Sequence, residues 1–430
     1  MQGDALTHGL WEASAPPAPP TEPLRGRIAV EVAVIGAGFT GLSAALHVAE
    51  GGRTVAVLEA AEIGFGASGR NVGLVNAGLW VMPDELPRRL GPVHGPRLLQ
   101  ALSNAPSVVF DLIARHGIAC EPMRHGTLHC AVGARGLAGL ERRAAQWQRL
   151  GAPVRLLDAG EAAARTGTSA YAGALLDQRA GTIQPLAYVR GLARAALAAG
   201  AALHSQSAVI AIDDLGTNWR LRTSTGGEVE ARWVLVATNA YAAPGSPWPE
   251  LSGELVRLPY FNMATAPLPQ ALRDVILPGG EGAWDTRAVL SSLRLDQAGR
   301  LVFGSIGALR GAGREIHRDW ARRALARLYP QLRGIDFEHE WYGWIGTTAD
   351  AVPRLHSLGR NLVSFSGYNG RGIAPGTVFG RELARLVLGQ VGLDALPLPV
   401  VDVARAAFKP WREGFYEAGA GLVHAAGARW

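Results

Sequence analysis

Residues 30–59, VEVAVIGAGFTGLSAALHVAEGGRTVAVLE, limit what this chain can fold into more than any other stretch. A β-rich run ends at Ile35 and meets the turn Gly36-Ala37-Gly38-Phe39-Thr40-Gly41. A helical stretch then reaches Glu50, and a second strand over 54–58 ends at Glu59. Gly36 permits the tight turn, Gly38 lets the backbone approach a pyrophosphate, and Gly41 allows close packing of helix on strand. The helix that opens at this turn directs its free N–H groups and positive end toward phosphates. Glu59, 18 residues beyond Gly41, is placed to accept ribose hydroxyls, and an acid there argues against NADP. This unit predicts dinucleotide binding and leaves FAD and NAD both open.

Composition removes other classes. Of the residues, 48% are hydrophobic and 18% charged, which excludes a disordered, solvating chain. The length, 430 residues, suggests two or three domains. Two cysteines exclude a disulfide scaffold and an iron–sulfur protein and fit a reducing compartment. The net charge of +6 is thin over this length and no basic block occurs, so no nucleic-acid partner is expected. Lys409 is the only lysine; lysine-based catalysis would have to come from it. No run reaches 18 uncharged apolar residues, so no stable membrane insertion is expected and a cytoplasmic location is inferred. Residues 1–26, rich in proline, read as an extended arm.

Two further glycine turns stand far from the first. Gly64-Phe65-Gly66-Ala67-Ser68-Gly69-Arg70-Asn71-Val72-Gly73 is dense in glycine and carries donors at Ser68, Arg70 and Asn71. Such a loop can lie along a planar ligand and its diphosphate. A strand-like run over 361–366 leads into Gly367-Tyr368-Asn369-Gly370-Arg371-Gly372-Ile373 and a helix over about 376–388. That places a second helix N-terminus where the negative charge of a reduced flavin would be stabilised. Between them, a strand over 229–236 ends in Ala237-Thr238-Asn239-Ala240-Tyr241.

The strings SGRNVG at 68–73, ATNAY at 237–241 and GYNGRG at 367–372 resemble the glycine/D-amino-acid oxidase family of FAD enzymes over nearly the whole chain. SGRNVGLVNAGLW and Ala283-Trp284-Asp285-Thr286-Arg287 are most similar to its L-pipecolate oxidase branch, while putrescine-conjugate oxidases share SGRN and GYNGRG. The resemblance implies an α/β fold in which a Rossmann-like FAD-binding domain (27–78, 181–245, 340–395) interleaves with an α+β substrate domain on an antiparallel sheet (79–180, 246–339). A C-terminal tail (396–430) would follow. It also implies contacts to FAD from Gly36, Gly38, Phe39, Thr40, Gly41, Glu59, Ala60, Ser68, Gly69, Arg70, Asn71, Val72, Gly73, Leu74, Val209, Thr238, Asn239 and Gly370, Arg371, Gly372 and Ile373. The implied reaction is hydride transfer from the carbon beside a substrate amine to flavin N5. It leaves an imine, with oxygen (and hydrogen peroxide) or a quinone completing the cycle.

Relatives with a lysine after the last glycine turn, or a flavin-linking cysteine, differ from this chain, which has Ala374 and Trp344-Ile345-Gly346 in those regions. Non-covalent FAD is therefore expected. An amino-acid or amine substrate with a carboxylate calls for an arginine fork. Arg294 is the first candidate, with Arg371, Arg70 and Arg287 behind it. Trp80, Tyr260 and Trp344 are candidates for an apolar wall, and no general base nominates itself. Cys120, His125, His129 and Cys130 have zinc-like residue types, but neighbours on a strand face opposite sides, so no metal is expected. An NAD-dependent dehydrogenase and a flavin-holding scaffold are the rival readings.

Overall fold

The computed structural model describes residues 8–427. Its centre is a sheet in which Leu362–Ser366, Glu228–Val236, Arg27–Ile35, Val55–Leu58 and Ala202–His204 run parallel, in that order. Arg354–Gly359 closes one edge antiparallel, and Val209–Asp214 and Trp219–Thr223 extend from the first half of Glu228–Val236. The C-terminal half of Arg27–Ile35 and all of Val55–Leu58 are buried, because helices pack on one face, against Val32 and Val34, while Val209, Leu221, Trp248 and Leu251 cover the other, against Ala33 and Ile35.

Register explains why distant motifs meet. Ile35 pairs with Leu58 and with Val236, and Val236 with Ser364. Gly36, Glu59 and Ala237 therefore emerge side by side at the C-terminal edge of the sheet, where α/β folds place ligands. Helices Phe39–Glu50 and Ile373–Val387 leave this edge together. Gly380 lets them touch, since a Cβ there would run into the Thr40 carbonyl oxygen. Ser43 Oγ donates to Thr377 O at 2.7 Å, and Thr40 Oγ1 and Tyr368 Oη share a hydrogen bond of 2.7 Å.

A second sheet is ordered Phe337–Thr347, Val256–Pro267, Arg300–Ile306, Ser291–Leu295, Gly282–Asp285, Thr127–Ala131, Gly173–Asp177, Val154–Leu157. Its pairings are antiparallel except that of Gly282–Asp285 with Thr127–Ala131. Strand Phe337–Thr347 belongs wholly to this sheet, so a boundary at 340 cuts through it. Asp158 and Glu161 form a capping box at the start of Ala159–Thr166, and helices Glu85–Ser103 and Ala105–Arg115 meet at Asn104.

Among the described residues, the expected arm and the expected tail each contain a helix. Leu10–Ser14 is helical, with Leu10 and Trp11 buried. The Trp11 indole donates to Asn71 O at 2.8 Å, and Glu12 pairs with Arg190. Lys409–Ala426 is a helix turned inside out. Glu413 and Glu417 pair with Arg257 and Arg310 on the body of the protein, while Trp411, Phe415 and Leu422 face outward. An apolar stripe normally faces the core, so sequence pattern alone argued against a helix docked in this orientation. Among the described residues no helix is long and apolar enough to cross a membrane.

Candidate active site

A cavity of about 1720 Å³ runs from the sheet edge to the second sheet and on to the C-terminal helix. At its inner end the glycine turn is held open by geometry. Gly36 has φ +103°, which favours glycine. A Cβ on Gly38 would lie 2.9 Å from Ser68 Oγ, the atom that accepts Phe39 N–H at 3.1 Å. Apart from Phe39 N–H, the first-turn N–H groups of the helix have no side-chain cap at Gly38 and are available to an anion. The Glu59 carboxylate accepts Ala37 N–H at 2.7 Å and Ala61 N–H at 2.9 Å. Burial pushes its pKa up against those bonds, and its remaining lone pairs can still accept hydroxyls. This donor and acceptor set fits a diphosphate flanked by a ribose.

Residues 36–40, 59–60, Ser68, Asn71, Val72, Leu74, Val209, Thr238, Asn239 and 370–373 line the cavity. Gly41, Gly69, Arg70 and Gly73 are not among the lining residues. A Cβ on Gly41 would strike Gly36 O, one on Gly69 would press on Gly64 O and His8, and one on Gly73 would strike Ile183 O; these glycines serve backbone packing behind the wall. The Arg70 side chain is buried over the Phe65 ring at 4.7 Å and donates to Tyr342 O. Arg294 is likewise placed behind the wall. It is 1% exposed, donates to the carbonyls of Ile183 and Leu295, and lies over Trp11. It braces the N-terminal helix and is not among the residues that line the cavity.

The arginine that does face the inner cavity is Arg371. Its Nη1 donates to Ala77 O at 2.9 Å, and its guanidinium lies 4.6 Å from the Trp80 ring centre and 5.6 Å from that of Trp284. Its Nε is buried without a hydrogen-bond partner, and burial brings its pKa down to about 9. Trp284 Nε1 and Tyr260 Oη are also buried, lack partners and line the cavity. Burial raises the Tyr260 phenol well above its ordinary range, so it stays a proton donor. Buried polar groups normally find partners, and these three residues of the cavity wall each carry a donor that has none. Arg287 instead pairs with Asp285 at 2.8 Å, and Trp344 stands nearer the mouth between Arg257 and Arg310, each 5.4 Å from its ring.

Sequence reasoning missed Trp284 as a wall residue and the C-terminal helix as a lining element. Arg412, Glu413, Tyr416 and Glu417 all line the outer cavity. The zinc-like set is dispersed. His129 stacks on Trp284 at 4.9 Å, Cys130 lies in the core of the second sheet, and His125 bonds Gly279 O. Among the described residues no group of His, Cys, Asp and Glu converges as a metal site would.

Comparison with known proteins decides the family. Residues 31–386 match the profile described as DAO, FAD dependent oxidoreductase. The chain belongs to this family. As a member, it is an FAD-dependent oxidoreductase, and its mixed α/β architecture is the family's. The gamma-glutamylputrescine oxidoreductase of Escherichia coli is 32% identical over 422 residues, covering 95% of this chain and 97% of that protein. A probable oxidoreductase, OrdL, of Rhizobium meliloti is 33% identical over 389 residues, with 89% of each chain covered. The crystal structure of glycine oxidase from Geobacillus kaustophilus superimposes with a TM-score of 0.70 at 23% identity, covering 87% of this chain and 98% of that one.

Proposed function

We propose that this protein oxidises the C–N bond of an extended amine that carries a remote polar group, of the γ-glutamylputrescine type, with FAD held non-covalently. The observation that carries the reading is the continuity of the cavity. From the partnerless donors of Arg371, Trp284 and Tyr260 it reaches a charged mouth where Arg257–Glu413 and Arg310–Glu417 flank Trp344. A compact ring acid would leave that mouth unused. The name of the Escherichia coli relative points to the same substrate class.

FAD, when bound, supplies the acceptor for the hydride leaving the carbon beside the amine. The protein's part is orientation and solvation. Arg371 offers its Nε and positive charge to an anionic or carbonyl oxygen of the substrate. Trp80 and Trp284 exclude water, and Tyr260 Oη donates to a substrate acceptor. The cavity wall contains no histidine, and its acids are Glu59, Glu413 and Glu417, among the described residues. The amine therefore sheds its proton to solvent on entry, favoured by desolvation and by the Arg371 charge.

A second reading, L-pipecolate or another cyclic secondary amino acid, rests on the aromatic box of Trp80, Trp284 and Tyr260 beside Arg371. Anaerobic bleaching of the flavin and a peroxide assay over γ-glutamylputrescine, putrescine, pipecolate, proline and glycine separate the two. Turnover of pipecolate without the conjugated amine would overturn the first reading, and failure to bleach with any amine would overturn both. Bleaching without peroxide would assign the electrons to a quinone instead of oxygen.

A further inference from the structure

Behind the Trp80 wall lies a second cleft of about 660 Å³ that shares Trp80 and Leu290 with the main cavity. One side is a single face of helix Gly133–Arg149, presenting Arg135, Gly139, Arg142 and Arg143 at helical spacing. A Cβ on Gly139 would meet nothing within 4 Å, so this face is open. Arg88 and Arg287 complete the lining cations.

The acids of the cleft are already engaged. Asp84 pairs with Arg149, Glu85 with Arg89, and Asp285 with Arg287. Arg88, Arg135, Arg142 and Arg143 have no carboxylate within ion-pair distance among the described residues. Arg143 is committed to main-chain carbonyls only, those of Leu79 and of Trp80, and burial lowers its pKa to about 10. Across the layer of Trp80, His129 and Trp284 stands Arg371, equally without a carboxylate. The charges of Arg371 and Arg143 add to burial in holding His129 neutral. Arg143 and Arg371 are buried cations without a paired carboxylate, which is costly. Arg88, Arg135 and Arg142 are exposed, and, with the three acids of the cleft already paired, the surplus of positive charge in a concave site concentrates anions.

We propose that this cleft is an anion-binding vestibule that takes a carboxylate or phosphate group on the forks of Arg135, Arg142 and Arg143, against the back of Trp80. The anion is a free metabolite carboxylate or phosphate. Binding is independent of which amine the main cavity oxidises.

Isothermal titration of the FAD-loaded protein with succinate and with inorganic phosphate at low salt tests it. Saturable binding of either anion, weakened at least about tenfold in Arg135→Gln/Arg142→Gln, is expected. Arg25→Gln/Arg232→Gln, with the same loss of charge, should bind as the parent does. Succinate or phosphate, as the free anion, alters turnover in the parent and not in the cleft variant. Absence of saturable binding in the parent, or equal affinity in the cleft variant, overturns the site. Since the titration reads binding, a failure of the amine-oxidase reading would appear separately, as a flavin that no amine bleaches.

Discussion

Arg371 and Trp80 form a clamp: the guanidinium lies 4.6 Å from the ring centre while the indole Nε1 donates to Asn369 O at 2.7 Å. The glycine turn at 367–372 thus fixes both the cation and the ring beneath it. Arg371→Met should lower kcat/KM for a substrate whose acceptor oxygen meets this side chain by about 10- to 100-fold, the value of a charge-assisted hydrogen bond. Arg371→Lys should recover only part, since it loses the fork geometry. Flavin absorbance per protein should stay unchanged in both. Equal kinetics in Arg371→Met would remove this residue from the substrate site.

Gly38→Val should abolish flavin retention. The new Cβ meets Ser68 Oγ at 2.9 Å, disturbing the bond from Phe39 N–H that positions the start of the helix, and the branched side chain enters the space in front of the free N–H groups. The measurement is the ratio of flavin to protein absorbance after gel filtration of a folded variant. A ratio equal to that of the parent would contradict the cradle.

The helix contact at Gly380 makes a separate prediction about stability. Because a Cβ there collides with Thr40 O and crowds Ser43 Cβ at 2.7 Å, Gly380→Val should cost about 1–3 kcal/mol or more. It should also separate the two glycine turns, so thermal denaturation and flavin affinity should fall together. A stable variant with unimpaired flavin binding would show that the turns are held by something else.

The dinucleotide cradle was legible in sequence because backbone constraints leave compositional marks. Gly36, Gly38 and Glu59 occupy their positions for reasons that one strand–turn–helix unit already contains. Arg294 was not legible. A strand arginine beside a turn reads as a pocket residue, and only tertiary structure reveals that Ile183 O and Leu295 O accept its donors while its guanidinium lies over Trp11. Gly41 and Gly73 were read as cofactor contacts because the motif does not say which glycines face the ligand and which face Gly36 O or Ile183 O. The C-terminal helix escaped notice for another reason. Its charges face Arg257 and Arg310, some 100 to 160 residues away in sequence, and no local pattern announces such a partner.

That helix supplies the pH prediction. His424 and His317 meet through their Nδ1 atoms at 2.8 Å, inside a nest where His424 stacks on Trp320 at 3.8 Å and His317 on Phe261 at 5.0 Å. Burial lowers both pKa values from 6.5, to about 3 for His424 and about 4 for His317. The His317 charge and Arg323 add to the effect on His424, and Glu417 opposes it on His317. With folded values below the unfolded one, the native state binds fewer protons than the unfolded state between about pH 6.5 and 4. The docked helix is thus fully stabilised above pH 6.5 and loses that stability as pH falls through this window. Hydrogen exchange over residues 409–426 should accelerate selectively between pH 7 and 5, after correction for intrinsic rates, while the Arg27–Ile35 strand remains protected. In His424→Phe, which keeps the aromatic stack and removes the titrating group, the acid sensitivity should shrink. If exchange in the helix follows the same pH dependence in parent and variant, the histidine pair does not control docking.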